Sequence, residues 1–388
     1  MTTPDTFQSA LHARLPHILN DVAELVSIDS GSYFSAGVTR VAHWIGERLE
    51  RIGFTTTYED VEDRGQRMFA TLPGKGRGRL MILGHADTVW PEGTAREWPY
   101  AVRGGRATGP GVGDMKSGLI MAINALDLVI EAGCADFEEI KYVLVSDEEL
   151  GSPKCRGWIE HHARGADWVL VLEPARPGGG MMTSRGAVGA CRIQARGGSA
   201  HAAVNYAKGA SAVRELAAMV APLEALPDIE AGTVVNVGKF EGGQARQVIP
   251  HEARMHLDVR ARTPEQALRL EARLREIIGT RDNPRVDVEL LGGWTRPSWP
   301  LSNGTADLYR KAKRIADSLG VPAFEVPTVS GGSDGSFCGA LGIPTLDGLG
   351  PECSDICSRD ETIVIRSVAD RGAIFAGLIA ELSRSQAG

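Results

Sequence analysis

The 388-residue chain has no hydrophobic run near the length of about 18 residues that a membrane-spanning helix needs, so no membrane span is expected. It has no excess of basic charge. Its 42 Lys and Arg against 49 Asp and Glu leave a net charge of −7, which argues against a nucleic-acid grip by bulk electrostatics. Its six cysteines form no CxxC pair, so no disulfide framework is expected and a reducing compartment fits. It has no internal repeat and no low-complexity segment. The stretch MTTPDTFQSALHARLPHILNDVAELV lacks the charged start, apolar core and small-residue cleavage site of a signal peptide, which makes the cytoplasm the expected location.

What is present is ordinary for a globular protein: 43% hydrophobic and 23% charged residues. The length suggests two or three domains at about 150 residues each. Up to residue 183, short apolar runs alternate with helical patterns. Helices are expected over 21–28, 38–52, 115–132 and 157–163, and strands over 68–72, 79–84, 140–146 and 168–172. Continuous apolar strands separated by helices predict a largely parallel sheet buried on both faces. The pattern then changes to strand 188–195, helix 209–226, strands 233–240 and 254–259, helix 264–278 and strand 286–291. That order is the β-α-β-β-α-β split unit of ferredoxin-like folds. The first pattern resumes with helix 307–319, strand 343–346 and helix 368–383. The fold class is therefore α/β, a mostly parallel sheet sandwiched by helices, with an inserted α+β ferredoxin-like domain. Residues 1–183 plus 297–388 are expected to form the first domain and 184–296 the insertion.

Three strands run into metal-type ligands. RLMILG leads to His85, with Asp87 two residues on. IKYVLVS leads to Asp147, Glu148 and Glu149. WVLVL leads to Glu173. Functional groups of open α/β sheets sit just beyond the carboxyl ends of the strands. Asp114 lies in GPGVGDMK, just before a predicted helix; taken alone it reads equally well as a helix N-cap. One imidazole and several carboxylates converging in one crevice suit a divalent ion.

The motifs GHADTVWPEG, GPGVGDMKSG, SDEELGS, LEPA, GGSAHA and SGGSDGSFCGALGIPTLDGLGP occur in that order. Together they resemble the glutamate carboxypeptidase, aminoacylase and acetylornithine deacetylase family of zinc metallopeptidases, with most likeness to its bacterial glutamate carboxypeptidase branch. The likeness runs from about residue 23 to residue 379. It implies that Asp114 bridges two zinc ions, that His85 and Glu173 complete one site and that Glu149 serves the other. It implies that Asp87 fixes the tautomer of His85, and that Glu148 is the general base, passing a proton from the attacking water to the leaving nitrogen. His201 in GGSAHA would steady the oxyanion in its own or the partner's site. Arg260 and Arg296 would clasp a substrate carboxylate. The inserted domain would form the contact of a homodimer and close as a lid.

Two departures stand out. The family's fifth metal ligand is a histidine in a GPxGxxxHSxxE-like stretch; here GPECSDICSRDE puts Cys357 in that place. Cysteine is a good zinc ligand, so an altered site is one outcome. The others are a weakened second site, substitution by Cys353 or Asp355, or a single-metal enzyme. The family's substrate-contacting asparagine is replaced by Gln247 in ARQVIP. The expected function is metal-dependent hydrolysis of an amide C–N bond in a carboxylate-bearing small molecule, with one or two zinc ions per chain, or manganese or cobalt. The alternatives are hydrolytic deamination, or other non-peptide C–N cleavage, at an altered or single-metal site, and a non-catalytic ligand-binding relative. No nucleic-acid or membrane partner is expected.

Overall fold

The structure, a computed structural model, describes residues 3–329 and 331–385. Ser330, the first residue of one of the motifs, lies outside them. The chain divides into two units. One takes in Met1–Ser184, Leu301–Pro327 and Ser333–Gly388, the other Arg185–Pro300 and Thr328–Gly332.

The first unit is built on a six-stranded sheet in the order Thr55–Glu59, Arg67–Pro73, Glu139–Val145, Arg79–His85, Trp168–Val171, Thr345–Leu346. The last four strands run parallel and the first two add antiparallel pairings. Side chains alternate between two cores. Leu80, Ile82, Leu144 and Leu170 pack with residues of helices Pro4–Val26, Ser35–Arg51, Ser117–Glu131 and Ile365–Ser385. Met81, Leu83, Val143, Val145 and Val171 face the other way, onto Ile159, Ala163 and Phe337. Burial on both faces is why these strands carry no polar alternation. The first helix starts at Pro4 rather than residue 21: Phe7, Leu11, Ile18 and Val22 bury one stripe, and Pro16 interrupts the polar face between them.

A second, small antiparallel sheet had no counterpart in the sequence reading. Its order is Cys353–Ser354, Thr362–Val364, Arg106–Thr108, Ala101–Arg103. Strands of two or three residues are too short to show a period.

The second unit follows the predicted β-α-β-β-α-β order, with strands Ala187–Arg196, Thr233–Gly242, Glu252–Ala261 and Asp287–Arg296 and helices Ala212–Glu224 and Pro264–Gly279. The third strand lies between the second and first, and the fourth flanks the first; every pairing is antiparallel. One face is apolar: Ile193, Ala195, Met255 and Leu257 pack on Leu216, Leu223, Leu270 and Leu274. The helix over 264–279 begins on a capping box in which the Thr263 side chain accepts from the Gln266 N–H and the Gln266 side chain accepts from the Thr263 N–H.

The boundaries differ from those expected: 297–300 and 328–332 belong to the second unit. Backbone pairing accounts for it. The Arg185 N–H donates to the Trp299 carbonyl at 2.9 Å, the Trp299 N–H to the Arg185 carbonyl at 2.8 Å, and the Gly186 N–H to the Val329 carbonyl at 3.0 Å. The buried Arg185 guanidinium then donates to the carbonyl oxygens of Gly331 and Gly332 at 2.9 and 3.2 Å.

Candidate metal centre

His85 ends a parallel strand, Glu148 lies three residues beyond the strand beside it, and Glu173 lies two residues beyond Trp168–Val171. One ligand atom from each of these three falls within 4.8 Å of the others. A second group, Asp114, Glu149 and Cys357, meets the same limit. Asp114 faces both groups. Its Oδ1 lies 3.0 Å from His85 Nε2, and its Oδ2 accepts from the Cys357 thiol at 3.4 Å. It is not a helix cap: the helix starts at Ser117, three residues on, and Asp114 itself has non-helical backbone angles.

His85 is oriented from behind. Its Nδ1 lies 2.9 Å from the backbone carbonyl of Asp87 and 3.5 Å from that residue's carboxylate. A proton on Nδ1 leaves Nε2 with a lone pair towards the acidic cluster. The Asp87 carboxylate has a second task that the sequence reading missed. It accepts from the Ser32 hydroxyl at 2.7 Å and from the backbone N–H groups of Glu148 and Glu149 at 3.1 and 3.2 Å. The residue that fixes the imidazole thus also fixes the turn bearing both glutamates.

The electrostatics ask for a cation. Burial, and then the charge of Asp114, push the carboxyl groups of both Glu149 and Glu173 well above their ordinary range. Burial alone would lower the His85 imidazole, but hydrogen bonds to Asp114 and Asp87 outweigh it and raise the group well above its usual value. Cys357, the one exposed cysteine among the described residues, has its thiol pushed up by burial of the sulfur and by Asp114. Glu149 Oε1 is buried with no hydrogen-bond partner. Crowded carboxyl groups, an outward imidazole nitrogen and an unsatisfied buried oxygen fit divalent ions of the zinc type.

The remaining candidates lie in the second unit. Arg260 makes a two-pronged contact with the Asp258 carboxylate at 2.7 and 3.1 Å. Arg296 is 2% exposed, with Nη1 3.5 Å from the Thr295 carbonyl. Both pair in register with Val188, one from each neighbouring strand. His201 is exposed; its Nδ1 accepts from the Ala203 and Val204 N–H groups at 3.2 and 3.3 Å, so a neutral ring carries its proton on Nε2. Gln247 is exposed and its carbonyl accepts from the Ala202 N–H at 2.9 Å, which ties its loop to that of His201.

A carboxylate set of this kind, with an imidazole, suits a divalent-metal centre, and comparison with known proteins makes the chain a metal-dependent hydrolase of C–N bonds. The chain belongs to peptidase family M20/M25/M40, whose model matches residues 81–381. Carboxypeptidase G2 of Pseudomonas sp. (strain RS-16) is 27% identical over 385 residues, covering 97% of this chain and 91% of that protein. Acetylornithine deacetylase of Myxococcus xanthus is 29% identical over 306 residues, covering 71% of this chain and 76% of that one. Among solved structures, the YxeP protein of Bacillus subtilis, described as a dinuclear metal binding peptidase, superposes with a TM-score of 0.71 at 17% identity over 97% of this chain and 99% of its own. At that identity the likeness shows the fold: the central α/β sheet with its α+β insertion. No helix among the described residues is long and apolar enough to cross a membrane.

Proposed function

We propose that the chain hydrolyses an amide bond in a small carboxylate-bearing molecule, of the kind cleaved by carboxypeptidases and N-acyl amino acid amidohydrolases. His85 and Glu173 would hold one divalent ion, Glu149 and Cys357 the other, with Asp114 between them. When bound, such ions supply Lewis acidity, which acidifies water and polarises the scissile carbonyl. Glu148, beside His85 and Glu173, acts as general base: it takes a proton from the attacking water and gives it to the leaving nitrogen. Asp87 holds the Glu148 turn and the imidazole in place. His201, with its proton on Nε2, would donate to the developing oxyanion. Arg260, Arg296 and Gln247 would receive the substrate carboxylate; for Arg260 this means sharing or leaving its contact with Asp258. The second unit would serve as lid and as the contact of a homodimer, and the protein would work in the cytoplasm. Zinc suits a thiolate better than manganese or cobalt does.

The observation that carries this reading is the position of Asp114, one oxygen 3.0 Å from His85 Nε2 and the other 3.4 Å from Cys357 Sγ. Hydrolytic deamination at a single-metal site is the reading that the departures Cys357 and Gln247 favour. A complete three-donor group around Cys357 supports two positions instead. The test is Glu148→Gln, an isosteric change that removes the base. Turnover of N-acyl amino acids and dipeptide-like conjugates should fall by about 10²–10⁴-fold with metal content unchanged. Full turnover in this variant ends the proposal.

A further inference from the structure

Glu361 is fully buried and belongs to neither donor group. Its Oε1 accepts from the backbone N–H of Gly113 at 2.8 Å and of Asp114 at 3.4 Å. Its Oε2 accepts from the backbone N–H of Cys357 at 3.0 Å. One carboxylate therefore divides its two oxygens between two separate loops, each bearing a residue of the second donor group. The small antiparallel sheet explains the geometry. Its strand Thr362–Val364 lies between Cys353–Ser354, which leads into the Cys357 loop, and Arg106–Thr108, which leads into the Asp114 loop. Glu361 stands at the head of that central strand, where both loops depart. Its own carbonyl is pinned by the Thr108 hydroxyl at 2.8 Å. Gly113 makes room for Cys353, whose sulfur a Cβ there would run into, whereas the Glu361 carboxylate would be only in ordinary contact with it.

We infer that Glu361 is the positioning residue of the second metal position: by receiving the N–H groups of Asp114 and Cys357 on its two oxygens, it sets the spacing between these two donors, and leaves the group of His85, Glu148 and Glu173 untouched. The inference rests on the two-position reading above. A carboxylate fits the task because all three groups it meets are donors. A glutamine keeps one acceptor but turns an NH₂ towards the other loop, setting donor against donor.

The test is a cobalt(II) titration of the metal-free full-length protein, with bound metal counted and the thiolate-to-cobalt absorption followed, for the native chain and for Glu361→Gln and Glu361→Ala. Metal-free amide hydrogen exchange is measured alongside. The weaker-bound ion, the one that raises the thiolate absorption, should lose about 10–100-fold in affinity in Glu361→Gln, and at least as much in Glu361→Ala. The other ion should bind as in the native chain. Exchange should accelerate in peptides spanning 109–116 and 353–361 and not elsewhere. Equal weakening of both ions, or acceleration spread over the whole unit, marks a merely structural carboxylate and overturns the inference. So does native affinity at both positions in both variants. If Glu361→Ala does not fold, the isosteric Glu361→Gln decides alone. A native chain that binds a single ion overturns both this inference and the two-position reading; one that binds two, with variants that also bind two natively, overturns the inference only.

Discussion

The two donor groups of the centre are built in different ways. His85, Glu148 and Glu173 sit at the ends of three adjacent strands in a buried, mostly parallel sheet, and their spacing is set by the strands themselves. Asp114 and Cys357 hang from loops of a four-strand antiparallel sheet whose strands are two or three residues long, and Glu149 joins them only because it follows Glu148. The first group offers imidazole and carboxylate; the second offers carboxylate and a thiol. A rigid, oxygen-and-nitrogen position thus adjoins a looser one with a soft donor. The positions should therefore differ in affinity, in metal preference and in their tolerance of substitution.

The largest expected effect comes from the residue the groups share. Asp114→Ala removes the side chain that meets both His85 and Cys357. It should abolish binding of both ions at micromolar concentration and lower kcat/KM on the order of 10³-fold or more, a loss of several kcal/mol of transition-state stabilisation. Elemental analysis after dialysis is the measurement. Retention of one tightly held ion would show that the positions are independent, and would break the comparison at its centre.

Cys357→Ser separates the two positions. The hydroxyl keeps the size of the side chain and loses the soft donor. The second ion should bind about 10–100-fold more weakly and the thiolate-to-cobalt absorption should vanish, while the first ion is unaffected. Cys357→His should recover binding without the absorption. A band of undiminished strength in Cys357→Ser would assign the thiolate to another cysteine, Cys353 being the nearest in sequence.

The contrast between the groups also explains what the sequence reveals. Strand-end functional residues are legible because a buried strand announces itself as an apolar run, and whatever polar residue stops the run is displayed at the sheet's edge. His85, Glu148 and Glu173 are found this way. The ferredoxin-like order of the insertion is legible for the same reason, since its helices and strands are long enough to show their periods. Asp114 taken alone is ambiguous, because an acid before a helix also reads as a cap; the structure decides by starting the helix three residues later. Cys357 is legible only against a family motif. Glu361 closes the motif that places Cys357, but nothing in the sequence announces its task, because that is done by hydrogen bonds to backbone groups, one of them 248 residues away. Asp87 is half legible: its closeness to His85 suggests the imidazole, and nothing in the sequence announces that its carboxylate holds the Glu148 turn.

The smallest effect tests whether burial or carboxylate neighbours govern the imidazoles. His85 and His162 are both removed from water, with opposite results. At His85 carboxylates prevail and the group is raised. At His162 the Glu59 carboxylate raises the group too little to compensate: burial, then the charges of His161 and Lys141, push it down to about 4. Its ring stacks on Phe69 at 4.1 Å between centroids and meets Trp158 edge-on at 4.6 Å. Between its ordinary value of 6.5 and about 4, the unfolded chain binds a proton that the folded chain does not, so stability falls as pH falls through that window. The ring is only half buried, so solvent screening cuts the effect to about 1 kcal/mol. His162→Phe keeps the stack and cannot take up the proton. Its melting temperature should therefore decline less than that of the native chain between pH 6.5 and 4, with the two curves parallel above pH 7. Curves that stay parallel across the whole range would mean that burial at His162 does not hold the ring neutral, and the contrast with His85 would then rest on the carboxylates alone.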